Sequence, residues 1–80
     1  MPEYQSRVDK AQRLIALTSE IQSAREAEEA AQQEIARVEG EGSPFELVAA
    51  HRILAEDANE QLVALEREYE ELKKEFTASS

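Results

Sequence analysis

Both glycines of the chain fall inside one short break, Gly40-Glu41-Gly42-Ser43, and the segments on either side run for more than thirty residues with helical periodicity. Apart from Pro2 and Pro44, no residue in those segments obliges a helix to stop or kink. After the break, Ser43-Pro44-Phe45-Glu46 reads as a helix start. Ser43 can cap a backbone N–H, Pro44 suits the first helical position, and Glu46 completes a capping box. Before it, Gly40 follows the last periodic apolar residue, Val38, where a left-handed C-terminal cap is expected. The pattern predicts an all-α antiparallel helical hairpin forming one domain over residues 1–80. Helix 1 covers about 3–39, the turn 40–43, helix 2 about 44–76, and 77–80 form a frayed tail.

Helix 1 carries two overlapping stripes. Tyr4, Val8, Ala11 and Ile15 form the first; Leu14, Leu17, Ile21, Ala24, Ala31, Ile35 and Val38 form the second, with Glu28 interrupting the 3/4 spacing. Helix 2 is more regular. Val48, His51, Ala55, Ala58, Leu62, Leu65, Tyr69, Leu72 and Phe76 occupy successive a and d positions of four heptads. A hairpin symmetrical about its turn brings together residues whose numbers sum to about 83, setting Ile35 opposite Val48 and Leu17 opposite Leu65. Glu28 then lies one turn from His51, and these two polar residues are expected to pair inside the seam and fix its register.

Two long helices have one seam to share, yet apolar residues remain outside it. Leu47, Ala50, Ile53 and Leu54 on helix 2, and Ile15 on helix 1, are the expected partner or dimer interface, because a soluble monomer rarely leaves such a surface open. Pairing of two hairpins into a homodimeric four-helix bundle is the expected way to cover it.

Catalysis needs a pocket, a nucleophile or base with an orienting partner, and exclusion of water. The serines and threonines lack a local base, Gly40-Glu41-Gly42 is too short and acidic to cradle a phosphate, and no enzyme activity or cofactor is expected. Without cysteine there are no disulfides or thiolate zinc sites, and Glu46 and His51 are five apart where carboxylate-bridged metal bundles use Glu-x-x-His. A metal-binding bundle is therefore the weakest alternative. The acidic runs 26–29 and 66–71 read as solvated faces or as docking surfaces for a basic partner, and i,i+4 pairs such as Glu3 with Arg7 and Glu70 with Lys74 favour the first. With no apolar run long enough for a membrane span and no leader pattern, a cytoplasmic protein without membrane contact is expected.

The hairpin length, the Pro44-Phe45 helix start and the mixed Ala/Leu seam through Leu65 resemble the small two-helix co-chaperones of type III secretion needle proteins. The resemblance implies a heterodimer with a tetratricopeptide-like chaperone, formed through the apolar surface around Leu47 and Ile53. From the residues themselves the expected function is a non-enzymatic protein–protein interaction module, an adaptor, co-chaperone or inhibitor that dimerises and binds a partner protein. A purely structural antiparallel coiled coil is the alternative.

Eighteen acidic against nine basic residues give a net charge of −9, which repels phosphate backbones and leaves no basic stripe to release counterions. Gel-shift assays with duplex or single-stranded DNA at physiological ionic strength are expected to show no retarded species, and a salt-sensitive shift would contradict this reading.

Overall fold

The run of strong helix formers on each side of the break builds two helices, α1 (Glu3–Gly40) and α2 (Phe45–Ala78), packed antiparallel along their length. The computed structural model describes residues 3–78, with side chains placed from residue 6 onward. The Tyr4 side chain, the expected Glu3–Arg7 pair and the end of the tail lie outside these. The molecule is a rod of 59 × 18 × 14 Å. No strand occurs among the described residues, and no helix is long and apolar enough to cross a membrane.

The turn differs in detail from expectation. Gly40 is still helical, and the left-handed residue is Gly42, at φ +70°. Ser43 N–H donates to the Val38 carbonyl (3.1 Å) and Gly42 N–H to the Glu39 carbonyl (3.1 Å), the two bonds of a Schellman cap. On the far side, the Pro44 carbonyl accepts from Leu47 N–H (3.0 Å) and Val48 N–H (3.2 Å), so Pro44 is the half-in residue and Phe45 the first helical one. At its other end α2 runs two residues past Phe76. Thr77 Oγ1 donates back to the carbonyls of Lys73 (3.0 Å) and Lys74 (3.2 Å).

Moving the cap from Gly40 to Gly42 resets the register. Across the seam, Arg13 bonds Glu68, with numbers summing to 81, whereas Arg25 bonds Glu66 and Arg52 bonds Glu39, both summing to 91. These pairs flank the seam on opposite sides, so its midline lies at about 86 rather than 83. The geometric reason is simple. On oppositely running helices, alternating steps of three and four stay in phase only if a three-residue step meets a three-residue step. A sum of 86 achieves this, placing Leu14 opposite Leu72, Leu17 opposite Tyr69, Ile21 opposite Leu65, Ala24 opposite Leu62, Ala31 opposite Ala55 and Val38 opposite Val48. A sum of 83 sets a three against a four at each step.

Burial follows this register. Leu17 and Val38 are 0% and 1% exposed, and Ile21 and Ala55 complete the buried set. The remaining described seam residues, from Val8 and Leu14 on α1 to Leu72 and Phe76 on α2, are half-buried. Small side chains in the middle of the rod, Ala24, Ala31, Ala55 and Ala58, allow close approach of the axes.

The two glycines are expected to respond with opposite signs to alanine substitution. At Gly42 a side chain is forced into the left-handed region, so Gly42→Ala should destabilise by about 1 kcal/mol. Gly40 is helical and a Cβ there meets nothing within 4 Å, so Gly40→Ala should stabilise by about 0.5–1 kcal/mol. Urea unfolding followed by circular dichroism measures both; a stabilised Gly42→Ala variant would contradict the cap assignment.

Candidate interaction surface

With the seam at positions a and d, the residues beside it on α1 and α2 fall into two flanks. The e positions of both helices share one flank and the g positions the other. On the e flank, Glu39 pairs with Arg52 (3.3 Å) and Arg25 with Glu66 (3.1 Å). On the g flank, Arg13 holds Glu68 in a bidentate grip (2.8 and 3.0 Å) and also meets Glu20 (3.1 Å). Nearer the turn, Arg37 is bracketed by Glu34 and Glu41, the latter at 2.8 Å. Four of the six arginines are thus committed to carboxylates, and exposed pairs of this kind specify register more than they add stability. The expected Glu70–Lys74 pair is not among them. These cross-helix pairs were not anticipated, although Arg or Glu at e and g beside a heptad seam was the available signal.

The expected Glu28–His51 pair does not form, because the register differs by nearly one turn. Glu28 faces Ala58 and accepts a bond from the Asn59 side-chain amide (3.2 Å). His51 sits at the level of Ile35, away from Glu28. Both residues are half-buried, and no charged or polar side chain among the described residues is fully buried. Among the described residues, no three of His, Cys, Asp or Glu are grouped to hold a metal ion.

The apolar residues outside the seam divide into two places. Leu47 and Leu54 occupy g positions, Ala50 a c position and Ile53 an f position, so all four share one outer face near the turn. Ile53 and Leu54 are 64% and 61% exposed, and Leu47 is 45% exposed. The register that pairs Arg13 with Glu68 sets Leu54 beside Ala27, so Ala27 and Ala30 extend the face onto α1. Ile15 is 71% exposed but lies at a b position on the opposite flank, about 25 Å further along the rod. It does not join the other four. Phe45, at 79% the most exposed large apolar side chain among the described residues, stands at an e position beside the turn. Arg7 lies over the Phe76 ring, 5.8 Å from its centroid, at the open end.

The concavities are open grooves along the flanks. One is lined by Gln32, Ile35, Glu39, Arg52, Ala55 and Asn59; another by Thr18, Ile21, Arg25, Glu66 and Tyr69. Neither sets a nucleophile against an oriented base. The chain matches no protein-family model, no curated protein and no solved structure.

The hydrogen bonds from Arg13 hold the Glu68 carboxyl below its ordinary value, and those from Arg37 do the same for Glu34; desolvation opposes each, and the arginine charge adds to the lowering. A depressed folded pKa contributes stability that is present above the unfolded value near 4.5 and lost as pH falls through the folded value. The contribution of the Arg13–Glu68 pair, read as the difference in melting between the wild type and Arg13→Gln, should therefore shrink on acidification below about pH 4.5. Arg13→Gln should melt lower at neutral pH but lose less on acidification. Parallel pH profiles for the two proteins would show that the Arg13–Glu68 contact adds nothing.

Proposed function

We propose that the protein is a non-enzymatic interaction module, of the adaptor, co-chaperone or inhibitor kind, that presents the outer face of α2 near the turn to another helical surface. One observation carries this reading. Leu47, Ala50, Ile53 and Leu54 stand together and exposed although the seam behind them is already closed. Burying a Leu or Ile of this kind is favourable by about 1.5–3 kcal/mol each, which gives any complementary helix a reason to settle there. In the absence of another partner, a second copy covers the face and makes a dimeric four-helix arrangement. The open grooves and committed arginines support a binding role over catalysis.

A purely structural antiparallel coiled coil is favoured by the in-phase layers and cross-helix ion pairs. It differs in expecting self-association alone.

Sedimentation equilibrium at micromolar concentration tests the face. A dimer is expected, tightening as salt screens the repulsion between two chains of charge −9. Leu54→Glu should return it to monomer, whereas Ile15→Glu and Glu60→Lys should leave association intact. A wild-type monomer at every concentration, or equal effects of Leu54→Glu and Ile15→Glu, would refute this assignment.

A further inference from the structure

The charges around the exposed face are unevenly distributed. Residues 23–63, the half of the rod nearer the turn, carry ten acidic and three basic side chains, while the rest of the chain carries eight and six. Two of those three basic residues, Arg25 and Arg52, lie on the e flank and are paired with Glu66 and Glu39. The third, Arg37, is bracketed by Glu34 and Glu41. Glu46, Asp57 and Glu60 stand at f and c positions of α2, before and after the apolar residues, and Glu34 at a g position of α1. Leu47, Ala50, Ile53 and Leu54 thus form a strip about 10 Å long with the carboxylates of Glu46, Asp57 and Glu60 at its two ends, with Glu34 and its partner Arg37 along one side, and with no uncommitted cation beside it.

We propose that the preferred occupant of this strip is a cationic amphipathic helix, one with apolar residues at i, i+3 or i+4 and i+7 and Lys or Arg on both sides of that stripe. The proposal rests on the interaction-module reading and adds the chemistry of the partner. The seven-residue separation of Leu47 and Leu54 matches two turns of the incoming helix, and its cations meet the surrounding carboxylates. A second copy fills the same strip with Glu46, Asp57 and Glu60 opposed to their own counterparts, so it is the weaker occupant and is displaced. Anionic lipid and nucleic acid are disfavoured by the same carboxylates.

Two short helical peptides with an identical Leu stripe, one flanked by Lys and the other by Glu, distinguish these possibilities in fluorescence-anisotropy titrations against the full chain. The Lys peptide should bind at least about tenfold more tightly than the Glu peptide, and its affinity should fall as salt rises, the reverse of self-association. Leu54→Ser should weaken Lys-peptide binding by about tenfold. Ile15→Ser, on the other flank, should leave it unchanged; circular dichroism confirms that each variant remains helical. Equal binding of the two peptides, or binding of neither, overturns the cationic-helix assignment. If dimerisation nevertheless persists and is abolished by Leu54→Ser, the face remains an interface whose occupant is the second copy. If Leu54→Ser alters neither dimerisation nor peptide binding, the face itself fails as an interaction surface.

Discussion

Two helices running in opposite directions can keep an alternating 3/4 apolar pattern in contact only if their steps stay in phase, and the outward surface of this rod is a consequence of that condition. The Schellman cap at Gly42 supplies the chain reversal that meets it. Once Leu17 faces Tyr69 and Val38 faces Val48, the arginines at e and g reach their carboxylates. Leu54 is left on the flank with only the small side chains of Ala27 and Ala30 across from it, and Leu47 with Glu34. A slip of one heptad would separate Arg13 from Glu68 and Arg25 from Glu66 together, so individually weak exposed pairs act jointly as a selector of register.

The seam itself was legible because periodicity is a property of each helix alone. Every described a and d residue of α2 from Val48 to Phe76 is at least half-buried, and so is the row on α1 from Leu14 to Val38, Glu28 included. Register was less legible because it depends on the turn, and a turn containing two glycines offers two places for the left-handed residue. Placing the left-handed residue at Gly40 instead of Gly42 displaces every cross-seam partner by nearly one turn and sets Glu28 near His51, where the structure gives Glu28 to the Asn59 amide. Requiring the spacings to stay in phase would have selected the observed register from the sequence alone. Ile15 is legible as lying outside the seam and nearer the open end than Leu54, but its place on the opposite flank emerges only when both helices share one heptad register.

Glu28 and His51 show how a thin seam tolerates polarity. Neither is fully buried, because two helices leave the sides of the seam in contact with water, and Glu28 needs only one short reach to the Asn59 amide. A residue that would be costly inside a four-helix core is inexpensive here. Covering the outer face from the g flank would alter that environment for His51, which lies beside Leu47 and Leu54 on the same side of α2.

The small buried set has a thermal consequence. Heat capacity of unfolding grows with the apolar area released, and a rod whose buried set among the described residues is Leu17, Ile21, Val38 and Ala55 releases little. Its free-energy curve against temperature is accordingly shallow and its unfolding enthalpy low, so the free chain melts over a broad range and each kcal/mol moves the midpoint by several degrees. A bound helix contributes the apolar burial that the hairpin lacks. A helix bound on the outer face would therefore steepen the melt as well as raise it, and the sharpness of the transition would report whether that face is covered.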